Sequence, residues 1–131
     1  MQKYEIIIGA RAIPTPRPRV TSRGITYYPK RYSDYLRRMR LEIKKHNIPK
    51  IGMDKMVTLY AHFVFKRAKG SKIQIPVGDI DNLSKGLMDS MDVIFDNDRC
   101  VCSLIASKSF AYNDAIIILM EVKPCNGDDA L

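Results

Sequence analysis

Six of the chain's fourteen acidic residues fall between Asp79 and Asp98. Carboxylates so crowded repel one another unless a cation relieves them. If Asp79 and Asp81 lie in extended chain leading into a helix, their two-residue step sends both carboxylates to one side. Asp98 would then complete a cation site. Magnesium takes hard oxygen donors, accepts few direct carboxylates and keeps several waters, which leaves positions for a phosphate oxygen and an attacking water. Lys85, one turn beyond Asp81, is near enough to reach a phosphate or a water on the metal. A plainer account fits the same residues. Asp79 or Asp81 would cap the following helix, Lys85 would pair with Asp81 or Asp89, and Asp96-Asn97-Asp98 would be an exposed turn. Asp89 and Asp92 read as solvated helix charges.

Charge distribution weighs between these accounts. The formal net charge is +8 over 131 residues. Residues 1–50 hold thirteen Lys or Arg against three acids, a net of +10, whereas residues 51–131 hold nine against eleven, a net of −2. A basic surface binds a phosphate backbone by releasing condensed counterions, so nucleic acid is the leading partner; a solubilising face is the alternative. An acidic metal site repels DNA unless a basic surface recruits it, and this segregation suits a metal-dependent nuclease.

Composition excludes other classes. Hydrophobic residues make up 46% of the chain, enough for one core. The longest apolar runs, Tyr4–Ala10 and Ala115–Met120, fall far short of the ~20 residues that span a bilayer. The first residues lack signal-peptide character, so a cytoplasmic location is expected. Three cysteines fit that compartment. Strand alternation would place Cys100 and Cys102 on one face, with Cys125 alone in the tail. His46 and His62 share no ligand spacing with them, so neither zinc nor a small-molecule cofactor is expected.

The elements that must position the acids follow from periodicity. Tyr4–Gly9 reads as a first strand, then Pro14, Pro16 and Pro18 hold an extended arm bearing Arg17 and Arg19. A turn at Ser22-Arg23-Gly24 leads to a short hairpin through Ile25–Tyr28. Tyr32, Tyr35, Leu36, Met39 and Ile43 recur at helical steps within Arg31–His46, with Ser33 as a candidate N-cap and a cationic outer face that includes Arg40. Met56–Phe65 reads as a central strand. Asn82–Asp92 predicts a second helix, with Leu83, Leu87, Met88 and Met91 inward and Ser84, Lys85 and Asp89 away. Val101–Phe110 and Ala115–Val122 are two further strands whose connection, Tyr112-Asn113-Asp114, has hairpin composition. These elements make one domain over residues 1–131: a basic DNA-contacting part at 1–50, an acidic metal-site segment at 79–98 and a flexible tail at 124–131.

At its acidic segment the sequence resembles the RusA family of Holliday-junction resolvases, small endonucleases of bacteria and their prophages. Asp79-Ile80-Asp81-Asn82-Leu83-Ser84-Lys85 matches the family's Asp-x-Asp-Asn-x-x-Lys signature, continued by Met88-Asp89. Pro16-Arg17-Pro18-Arg19-Val20, Arg23-Gly24 and Tyr28-Pro29 are similar to its basic N-terminal stretch. Phe95-Asp96-Asn97-Asp98 stands where the family commonly has two adjacent aspartates, with Asn97 at the first and Asp98 at the second, catalytic one. The interval is about one residue short, which keeps Asp96 as an alternative to Asp98.

The resemblance implies an α/β (two-layer α+β) subunit, a mixed sheet of about four strands packed against two main helices, and a homodimer with two active sites. It assigns Asp79, Asp81 and Asp98 to Mg2+, with Mn2+ able to substitute, and Lys85 to phosphate or water handling. Arg17, Arg19, Arg23, Lys30, Arg37, Arg38, Lys66, Arg67, Lys69 and Lys72 would grip the arms of a four-way DNA junction. In-line attack by water would leave 5′-phosphate and 3′-hydroxyl ends, in recombination and repair. Two rivals remain: a restriction-like core using Glu121-Val122-Lys123, and a non-catalytic basic module that binds junctions without cutting them.

Overall fold

The structure, a computed structural model, describes residues 1–125. In chain order it comprises β1 (Gln2–Ile8), a ribbon of β2 (Arg19–Val20) and β3 (Thr26–Tyr27), α1 (Lys30–Lys44), β4 (Lys55–Lys66), α2 (Ile80–Ser90), β5 (Val101–Ala111) and β6 (Ala115–Pro124). Two 3-10 turns, Met91–Val93 and Asp98–Cys100, separate α2 from β5. β4 is central: it pairs antiparallel with β6 and parallel with β5, and β1 closes the sheet beside β6 in the order β1-β6-β4-β5. The result is a single α+β domain with a four-stranded mixed sheet and two main helices.

One strand pairing departs from the sequence reading. β5 and β6 are consecutive and joined by a short turn, yet they are not hairpin partners, because β4 lies between them. The turn crosses the end of β4 instead. Asp114 fixes the crossing, its carboxylate accepting the Lys66 backbone N–H at 2.8 Å and the Arg11 guanidinium at 3.1 Å. Turn composition cannot separate a hairpin from a step across one strand, since both need the same local bend.

Both helices cover one face of the sheet. Ile6, Ile8, Leu59, Phe63, Ile116 and Ile118 meet Tyr32, Met39 and Ile43 of α1 and Leu83 and Leu87 of α2 in a continuous buried core. Each such aliphatic side chain contributes roughly 1.5–3 kcal/mol on leaving water. α1 starts at Lys30 because Pro29, with φ −54°, is already set for a helical entry and accepts the N–H groups of Tyr32 and Ser33 at 3.0 and 3.2 Å. Ser33 is therefore inside the helix and is not its cap. Met91, Ile94 and Phe95 are core residues. Cys100 and Cys102 do not share a face, since Cys100 is buried in a 3-10 turn and Cys102 is exposed on β5. At the C-terminal end Pro124 closes β6 and the Cys125 N–H donates to the Asp54 carbonyl at 2.9 Å. Residues 126–131 of the expected tail lie outside the described residues.

The core assignment is directly measurable. In urea denaturation, Leu87→Ala should lower the unfolding free energy by about 2–5 kcal/mol, whereas Leu41→Ala, at an exposed position of α1, should stay within about 0.5 kcal/mol of wild type.

Candidate active site

The first helical hydrogen bond of α2 runs from the Leu83 N–H to the Asp79 carbonyl, 2.9 Å, so the helix begins at Ile80. Asp79 is the extended N-cap residue, and its side chain makes no capping bond. Asp81 is already in the first turn, where a carboxylate suits the positive end of the helix dipole and accepts the Asn82 N–H at 2.9 Å. The two residues therefore do not share a side by strand alternation. Helical winding sets their relation instead, which corrects the extended-chain expectation.

What the fold brings together is Asp81, Lys85 and Asp98. With Ser84 and Asp89 they line an open cleft of about 610 Å3, floored by Leu104 and Ala106 of β5. Asp98 enters from a 3-10 turn capped by Asn97, whose side-chain oxygen accepts the Arg99 N–H at 2.9 Å. The asparagine thus shapes the turn that presents the aspartate. Asp96 lines a neighbouring hollow with Asp92 and Arg40, not the cleft that holds Asp81; Asp98 borders both. Asp79 stands outside the cleft lining, at the N-terminal edge of α2.

Among the described residues no three His, Cys, Asp or Glu side chains are gathered closely enough to hold a metal ion by themselves. Magnesium does not require that, because one or two carboxylates with waters and phosphate oxygens suffice. Asp81 and Asp98 are hard donors on one open cleft and fit that demand. The buried Ser84 hydroxyl, which has no hydrogen-bond partner among the described residues, lies beside them.

Several site residues escaped the sequence reading. Asp89 is half-buried, not a solvated charge, and takes Lys85 at 3.4 Å, the pair that the plainer account of these residues named. Burial, above all, raises the Tyr32 phenol above its ordinary pKa; the Thr15 hydrogen bond opposes this and the nearby Asp89 carboxylate adds to it. The Asp81, Lys85, Asp89 spacing of four was the available signal, since it runs along one helical stripe. Ser84, expected to point outward, is buried. Arg40 was placed on the solvated face of α1, but it donates to the Asp92 carboxylate at 3.0 Å and the Asp89 carbonyl at 3.2 Å, joining α1 to the end of α2. Asp92 is exposed and held in that pair.

All ten cations proposed for DNA are exposed. Lys30 and Arg37 flank Asp34 at 2.8 and 3.6 Å, and the Lys30 hydrogen bond, chiefly, holds that carboxyl below the usual range. Arg38 donates to the Gly9 carbonyl at 3.1 Å, and Arg67 lies 4.5 Å over the Phe110 ring. Arg17, Arg19, Arg23, Lys66, Lys69 and Lys72 form no ion pair among the described residues. Glu121 stands in register with Lys3 and Thr58, between Met120 and Val122 that turn toward the helices. It faces the opposite side of the sheet from the cleft, as does Lys123 two residues on, so the restriction-like arrangement is not built.

An open cleft lined by acids, in a domain rich in exposed cations, is an arrangement that a phosphodiester-cleaving nuclease can use. The family model described as endodeoxyribonuclease RusA matches residues 10–121, and the chain belongs to that family. It is thus an endodeoxyribonuclease of the Holliday-junction resolvase type, a class whose cleavage depends on a divalent metal. No curated protein matches the chain.

Cleavage assays on single variants will test the site. Asp81→Asn and Asp98→Asn should each lose at least about 100-fold in rate, while Asp96→Asn should remain within a few-fold of wild type.

Proposed function

We propose that the protein resolves four-way DNA junctions as a homodimer, by paired symmetric strand cuts that need Mg2+ and accept Mn2+. The observation that carries this reading is the meeting of Asp81, Lys85 and Asp98 at one open cleft in a chain of net charge +8. Asp81 and Asp98 would hold the metal, with Asp79 as the third carboxylate at the edge of α2. A magnesium ion bound there supplies charge neutralisation at the scissile phosphate and eases deprotonation of water. Lys85, itself exposed, exchanges Asp89 for the phosphate, a favourable exchange because an i,i+4 pair at the surface is worth little. Exposed cations of the arm, the ribbon, α1 and the Lys66–Lys72 loop draw the junction arms in by charge. A twofold dimer matches a substrate with two equivalent strands. Three free cysteines suit a reducing cytoplasm, where we place the activity.

Two observations favour the non-catalytic alternative: Lys85 is paired with Asp89, and no three ligands cluster among the described residues. The weakness of an i,i+4 pair with an exposed lysine and magnesium's small need for carboxylates answer both.

A labelled four-way junction, incubated beside linear duplex of the same sequence, decides between them. Symmetric paired cuts confined to the junction, present in Mg2+ or Mn2+ and absent in EDTA, are expected. Binding with every strand intact would establish the non-catalytic module instead. Glu121→Gln and Lys123→Ala should retain most of the activity.

A further inference from the structure

Lys108 sits where a cation is out of place. On β5 it is opposite Phe63 in the parallel register, on the helix-facing side of the sheet, and Phe63 is completely buried. Lys108 is itself half-buried there, and an ammonium drawn from water in this way is costly unless its protons are accepted. Its Nζ donates to the carbonyl of Pro76 at 2.8 Å and to that of Gly78 at 2.6 Å. Those carbonyls lie three residues and one residue before Asp79.

The segment they belong to has little else to hold it. Residues 67–79 contain no helix or strand, and among the described residues Lys108 makes the only hydrogen bonds to residues 75–78. Gly78 has φ +109°, a conformation that favours glycine, and it passes the chain directly into Asp79 and α2. Lys108 shares its face of β5 with Leu104 and Ala106, the floor of the acidic cleft. One ammonium therefore links that floor to the backbone leading to the first two carboxylates. Its bonds are charge-assisted and about twice as strong as neutral ones.

We propose that Lys108 is a positioning residue for metal-dependent cleavage: it clamps the Pro76 and Gly78 carbonyls and so sets Asp79 and Asp81 against Asp98. This rests on the assignment of those aspartates to the metal. Lys108→Met removes both bonds and keeps most of the aliphatic stem; Lys108→Arg keeps the charge and the donors.

The test uses the whole chain. Thermal unfolding reports the fold, junction binding in EDTA reports DNA affinity, single-turnover cleavage across a Mg2+ titration reports chemistry, and electron paramagnetic resonance of free Mn2+ reports metal binding without DNA. Lys108→Met should fold and bind the junction within about twofold of wild type. It should need about 10-fold more Mg2+ for half-maximal cleavage and cut at least about 10-fold more slowly, with Lys108→Arg recovering most of both losses. Unchanged Mg2+ dependence and rate in Lys108→Met would overturn the proposal, as would a fall in junction affinity matching the fall in cleavage. If wild type itself cuts no junction, the proposed function fails separately, and Mn2+ affinity then decides: about 10-fold weaker in Lys108→Met supports positioning, and no change, or no Mn2+ binding by wild type, overturns it. Should Lys108→Met not fold, Lys108→Leu, which likewise carries no donor, takes its place under the same criteria.

Discussion

Parallel pairing of β4 with β5 is the constraint from which the rest of the molecule follows. Strands that run side by side in one direction cannot be joined by a tight turn, so the chain must cross back over the sheet before it can form the second. That crossover is residues 67–100, and it contains α2, both 3-10 turns and all six clustered acids. Its first half delivers Asp79 and Asp81 to the start of α2. Its second half returns along the helix and ends with Asp98 one turn before β5. The two ends of the cluster meet because the crossover leaves one parallel strand and arrives at its neighbour.

Crowded carboxylates stay tolerable in this arrangement because they are sorted among different partners. Lys85 takes Asp89, and Arg40 takes Asp92, whose carbonyl also accepts from Lys50 at 2.9 Å. Asp81 and Asp98 form no ion pair among the described residues, which leaves them available at the cleft. The arm before β2 reinforces the same geometry from the other side, since the Thr15 N–H donates to the Asn82 carbonyl at 3.0 Å and its hydroxyl meets the Tyr32 hydroxyl at 2.7 Å. Gly86 permits this close approach, because a Cβ there would stand 3.2 Å from the Tyr32 hydroxyl and 3.3 Å from the Ile13 carbonyl. The basic arm and the acidic helix are thus one packed unit.

The central position of β4, the apolar stripe of α1 and the crowding of Asp81, Lys85 and Asp98 into one charged segment were legible from residue types and periodicity, because those signals are local, and the nuclease family was legible from its resemblance to a contiguous motif. Strand order was not legible. The turn at Tyr112-Asn113-Asp114 has the same composition whether it closes a hairpin or steps over β4, and only the hydrogen bonds made by β4 on both of its edges settle which. The start of α2, the burial of Ser84, the half-burial of Asp89, the separation of Asp96 from the cleft of Asp81 and the reach of Lys108 to Pro76 and Gly78 likewise came from the tertiary structure. Each depends on which surface lies opposite a residue, and that surface is supplied by chain distant in sequence.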